Sequence, residues 1–142
     1  MNTKKLQSFN LDGEVLEVIF VKTQKVKDGV ICDVYAFAGD TTKDLGVVTV
    51  RQGCSTPMQK VLQGKSTIEG FISGTGTLFV KQADGKEVNY IFDEASKAGK
   101  PQIEILLNEI MQWKASGGSD LVFYEVCEPS YTEGRFGEVA AA

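Results

Sequence analysis

The stretch Gly53–Gly76, GCSTPMQKVLQGKSTIEGFISGTG, decides how the rest of the chain is read. It holds two short runs, MQKVL and STIEGFIS, parted by Gly64 and closed by Gly74-Thr75-Gly76. β-Branched and aromatic residues suit a pleated, half-buried surface, and glycines mark the bends between such segments. Side chains alternate between the two faces of a strand. Thr67, Glu69, Phe71 and Ser73 therefore share one face of the second run. Gln59 and Val61 share one face of the first.

The same pattern extends in both directions. EVLEVIFV (14–21), VICDVYAF (30–37) and LGVVTV (45–50) precede the stretch; GTLFVKQ (76–82), KEVNYIF (86–92) and LVFYEV (121–126) follow it. Asp28-Gly29 and Asp84-Gly85 read as turns, and the second sits between two alternating runs as in a hairpin. Many short strands at regular spacing predict a sandwich or barrel. One segment reads two ways. In PQIEILLNEIMQW (101–113), Ile103, Leu106, Leu107, Ile110 and Met111 follow helical spacing, but the segment also reads as two short strands with Asn108-Glu109 at the turn. The polar loop at 93–102 reads as exposed, and the chain from about Pro129 as an irregular tail in which Arg135 and Tyr131 either fold back over the barrel or stay solvated. No repeat or linker divides the chain, so a single domain over 1–142 is expected.

Composition narrows the chemistry. The chain has 142 residues, a net charge of -4 and no histidine. With no basic field, no nucleic-acid or membrane partner is expected. No apolar run spans a bilayer, and the start carries no apolar segment behind its lysines, so a cytoplasmic location is expected. The three cysteines, Cys32, Cys54 and Cys127, are odd in number and far apart, as in reduced thiols and not in a disulfide framework. Without histidine there is no Ser-His-Asp triad, Cys-His dyad or HExxH zinc site. Acid–base work falls to Glu, Asp, Lys, Tyr or Cys.

Gly53–Val80 resembles the first conserved motif of the cupin superfamily, small double-stranded β-helix barrels of the jelly-roll type. GFISGTGTLFV is similar to that motif's ending, with Gly74 as the turn glycine. The segment NEIMQWKASGGSDLVFYEV (108–126) is similar to the second motif in its order of strand, polar turn and closing strand. The likeness covers roughly Leu45–Glu128 and implies an all-β, cupin-like jelly-roll barrel, often paired as a homodimer. It places Gln59 and Val61 at the two usual histidines, Thr67 at the metal-binding glutamate and Met111 at the last histidine. Valine offers no donor and a thioether is weak. The expectation is therefore no metal and no cofactor, which departs from the family's metal enzymes.

The same alternation gives a candidate pocket. Gln59, Thr67, Phe71, Met111, Trp113 and Phe123 are the candidate ligand-binding residues, and Glu69 is the candidate catalytic base if it points inward and is poorly solvated. A solvent-facing Glu69, or one paired with Lys60 or Arg51, would be structural. On the closing strand either Leu121, Phe123 and Glu125 or Val122, Tyr124 and Val126 face inward. Three functions fit: a metal-free barrel that binds a small molecule, a metal-independent isomerase, epimerase or lyase acting on a sugar or small acid, and a dimeric scaffold with a filled barrel. A closed interior marks the scaffold, and a carboxylate within hydrogen-bond reach of a second titratable group in an open one marks the enzyme.

Overall fold

A computed structural model describes residues 5–11, 13–94, 102–130 and 135–139. Two antiparallel sheets face one another. The larger contains β1 (Ser8–Leu11), β2 (Glu14–Lys27), β3 (Val30–Phe37), β4 (Asp40–Val50), β6 (Ser66–Ser73), β9 (Gln102–Ile105) and β11 (Leu121–Glu128). The smaller contains β5 (Gln59–Val61), β7 (Gly76–Lys81), β8 (Glu87–Phe92), β10 (Ile110–Ala115) and β12 (Phe136–Glu138). In the larger sheet the spatial order is β1-β2-β3-β4-β11-β6-β9, and in the smaller it is β12-β5-β10-β7-β8. Strands distant in sequence thus lie side by side, and the chain passes between sheets as a jelly-roll barrel does.

The barrel interior is apolar where the sheets meet. Val30, Val48, Val50, Phe71, Leu121 and Phe123 of the larger sheet pack with Val61, Leu78, Val80, Phe92, Met111 and Trp113 of the smaller. Four rings form a continuous stack. Phe71 and Phe92 lie 5.3 Å apart, Phe92 and Trp113 5.6 Å, and Trp113 and Phe123 4.5 Å between centroids. A second core lies on the other face of the larger sheet, where Tyr35, Leu45, Tyr124 and Val126 pack with Val18, Phe37 and the half-buried Phe9 and Leu11 of the N-terminal strand. Burial on both faces explains why β11 reads LVFYEV with so little alternation.

The segment at 102–113 forms two strands, β9 and β10, with a turn between them. Leu106 and Leu107, which complete the helical spacing, stand 56% and 49% exposed in the turn between β9 and β10. Asn108 adopts a positive φ of 68° there, and the Glu109 carboxylate accepts the Leu106 N–H at 2.7 Å. The hairpin at Asp84-Gly85 forms with a longer turn than two residues: Gln82 N–H donates to the Lys86 carbonyl at 2.8 Å, and Gly85 sits at φ 92°. The two-residue connection lies instead at Asp28-Gly29, between β2 and β3.

The chain after Pro129 is not wholly irregular. β12 pairs with β5, Phe136 opposite Val61 and Glu138 opposite Gln59. Arg135 is 2% exposed. Its Nη1 donates to the Pro129 carbonyl at 3.0 Å, and its Nη2 to the Ser66 carbonyl at 2.5 Å and to Thr67 Oγ1 at 2.8 Å. Gly64 makes room for this group, since a Cβ there would lie 2.5 Å from the guanidinium carbon. Tyr131 and most of the loop at 93–102 lie outside the described residues. No helix among the described residues is long and apolar enough to cross a membrane.

Candidate functional site

The aromatic stack fills one part of the barrel and leaves a cavity of about 240 Å³ beside it. Apolar walls come from Val30, Val48, Phe123 and Phe136, and polar groups from Gln59, Asp44, Glu125, Cys32 and Cys127. Exposed Lys22 and Gln24 of β2 stand at its rim. Sparse polar groups set in apolar walls are the usual make-up of a small-molecule site.

Glu125 in that wall is one of a pair of carboxyl groups. Glu69 of β6 stands directly opposite Glu125 of β11 in the antiparallel ladder, so both side chains project from the same face. Glu69 is 1% exposed. Its Oε1 accepts the Trp113 indole N–H at 2.8 Å. Its Oε2 is buried with no N–H or hydroxyl donor, and the neighbour it meets is the Glu125 carboxyl. Two carboxylates cannot hydrogen-bond without a proton, so the arrangement is satisfied when one proton lies between them. Burial raises the Glu69 pKa well above the carboxylate range, and the negative charge of Glu125 raises it further. Glu125 is shifted the same way by burial, against the Cys127 hydrogen bond and the positive charge of Arg135. Glu125 Oε1 accepts the Cys127 thiol at 3.2 Å. The pair thus resembles in kind any carboxyl dyad that holds one proton between two acids.

Two thiols beside the acid pair, Cys32 and Cys127, are shifted away from the thiolate. Burial, then the charge of Glu125, pushes the Cys32 thiol up to about 12. The same causes raise Cys127 further still.

The structure distributes the candidate residues over two places. Gln59 and Phe123 line the cavity. Glu69 lies behind Glu125, paired with neither Lys60 nor Arg51 but bonded to Trp113. Thr67, Phe71, Met111 and Trp113 are buried at 1–3% exposure in the packed part of the barrel. No sequence signal singles out Asp44. Arg135 reads as either folded back or solvated, and the structure folds it back. Cys127 reads only as a reduced thiol, and Glu125 as one of two possible faces. Phe123, already a candidate from the sequence, carries Glu125 with it on the same face, two residues on.

Val61 and Met111 are core residues, and the Thr67 hydroxyl is taken by a guanidinium, whose charge opposes a metal cation at that point. Among the described residues no three Cys, Asp or Glu side chains are grouped to hold a metal ion. The residues present do not fit a cupin-type metal centre.

No protein-family model matches the chain, and no curated protein matches it in sequence. Solved structures do. CapF, the capsular polysaccharide assembling protein of Staphylococcus aureus, superposes with a TM-score of 0.65 at 12% identity over 87% of this chain and 34% of its own. The oxalate decarboxylase of Lactobacillus farciminis, in a formate complex, superposes at 0.65 with 16% identity over 83% of this chain and 33% of its own. That of Bacillus subtilis gives 0.60 at 19% identity over 76% and 28%. This chain spans about a third of the length of these structures. They are cupin jelly-roll proteins, and the chain has the cupin fold.

Proposed function

We propose that this cupin-fold chain is a small-molecule-binding barrel that works without a metal. One observation carries the reading: a cavity of about 240 Å³ whose apolar wall is broken by Gln59, Asp44 and Glu125. The volume lies below the roughly 300–1,000 Å³ of drug-sized sites, so the ligand is small. A scaffold with a closed interior fits less well, because the aromatic stack stops short of this space. The Mn(II) centres named for the Bacillus subtilis oxalate decarboxylase have no counterpart in the donor set here, and that activity is not carried over. The test is a fragment screen by protein-observed NMR. Shifts at residues around Gln59 and Phe123 support the reading, and a screen without a cavity-directed hit overturns it.

A second reading has its own observation. Glu69 and Glu125 face each other with one proton's worth of hydrogen bonding between them. Such a pair is suited to general acid–base chemistry on a sugar or small acid, with Glu125 next to the ligand and Glu69 behind it. Solvent-deuterium incorporation into a bound candidate, lost in Glu125→Gln, would establish it. Binding without exchange would leave the first reading alone.

A further inference from the structure

The charges that reach the cavity are unevenly placed. Lys22 stands at the exposed rim, while Asp44 and Glu125 lie on the inner face of the larger sheet. Asp44 is opposite Cys127 and Glu125 opposite Gly46 on the neighbouring strand, so the two acids are diagonal neighbours. Among the described residues no ion pair is made to Glu125, and its donor is a thiol, a weak one. The nearest buried cation does not reach it directly. Arg135 gives its N–H groups to the Ser66 and Pro129 carbonyls and to Thr67 Oγ1, with Nε unpartnered. Its charge is felt by both glutamates, yet it donates to neither.

The deep partner settles where the proton sits. Glu69 is enclosed, backed by the Trp113 N–H on one oxygen and orphaned on the other. A protonated Glu69 donates to Glu125, and that satisfies both groups. Burial opposes charge most where solvent is farthest, so Glu69 is the neutral member and Glu125 the anion at the cavity wall. An anion next to apolar walls formed by Val48, Phe123 and Phe136 recognises a cation with an apolar body.

We propose that the cavity takes a small primary amine, its ammonium group seated against the Glu125 carboxylate and its alkyl part on the Val48, Phe123 and Phe136 wall. This rests on the cavity being a binding site. Anionic ligands are refused by the same carboxylates, and neutral isosteres lose the charge-assisted contact. Glu69, Asp44, Cys127, Cys32 and Arg135 are the charged or titratable groups packed around Glu125, and Glu125 is the one that must be ionised for the amine to bind.

Calorimetric and NMR titrations with n-butylamine hydrochloride, 1-butanol and sodium butyrate test the idea on the full chain. Butylammonium is expected to bind about tenfold or more tighter than butanol, the scale of one charge-assisted hydrogen bond. Butyrate is expected not to bind. Affinity for the amine falls as pH drops through the raised Glu125 pKa, by about tenfold per unit below it. Glu125→Gln removes the preference for amine over alcohol. Glu69→Gln keeps it, because the amide still donates to Glu125. The wild-type pH series needs no variant, so a folding defect in either one does not remove the test. Equal binding of butanol, or any binding of butyrate with shifts at the cavity, overturns the amine claim and leaves the binding barrel standing. If none of the three binds, the amine claim falls, and the fragment screen alone decides the binding barrel.

Discussion

Glu69 and Glu125 are cross-strand partners inside the barrel, two acids set opposite each other with one indole N–H and one thiol as their other donors. Like charges placed this way destabilise a sheet unless one is neutral.

This pairing sets a pH dependence. The folded pKa of Glu69 is raised, so its stabilising share is complete below the unfolded value and is lost as pH rises toward the folded one. Each pH unit in that window removes about 1.4 kcal/mol. Urea unfolding of the wild type should show stability declining as pH rises above the ordinary carboxylate range, and Glu69→Gln should flatten that slope. A parallel decline in both proteins would refute the buried-proton account.

Trp113→Phe should keep the ring stack and lose the N–H to Glu69. The loss of a hydrogen bond to a buried carboxyl is expected to destabilise by about 1–3 kcal/mol. Because that N–H favours the charged form, its removal raises the folded pKa further and should extend the stability decline to higher pH. Urea midpoints across the pH range read both effects.

Arg135 ties the last strand to the barrel through buried carbonyls. Arg135→Ala leaves the Ser66 and Pro129 carbonyls and Thr67 Oγ1 without their donor, for an expected loss of about 2–5 kcal/mol. Arg135→Lys should recover only part, since an ammonium lacks the planar fork. Chemical denaturation of the two variants gives the comparison, and a wild-type midpoint in Arg135→Ala would contradict the anchoring role.

Gly70 lies under the Tyr124 ring on the outer face. A Cβ there would come within 2.1 Å of that ring, whose hydroxyl donates to Gln102 at 2.8 Å. Gly70→Ala should lower stability by about 1–3 kcal/mol, the range for overpacking. Gly118→Ala has open space around the added carbon and should stay within about 0.5 kcal/mol of wild type. Thermal melts of the pair decide it.

Cys32 and Cys127, both shifted away from the thiolate, should resist alkylation in the native state. With iodoacetamide near pH 8 their rates should lie at least about a hundredfold below that of an ordinary thiol. Mass spectrometry of the labelled peptides, with and without denaturant, provides the measurement.

The fold was legible because its signals are local. STIEGFIS and LVFYEV carry strand chemistry in their own residues, and Gly74 ends a strand with φ 92° against the Asp120 carbonyl. The helical spacing at 103–111 misleads because Leu106 and Leu107 are turn residues, apolar but exposed. The site was less legible. That Glu69 meets Glu125 depends on the β6–β11 register, a long-range pairing that alternation within one strand does not specify. Arg135 is a single charge in a polar tail, and only its burial distinguishes it from a solvated one. Of the four positions suggested by the likeness, three in the first motif and Met111 in the second, only Gln59 lines the cavity.

Trp113 is the chain's one tryptophan, and its place makes the molecule its own optical probe. The indole is stacked on Phe123, which walls the cavity, and bonded to Glu69, the deeper member of the acid pair. Its emission therefore samples the ligand space from one side and the acid pair from the other. Intrinsic fluorescence can follow binding, proton transfer and unfolding with no label attached.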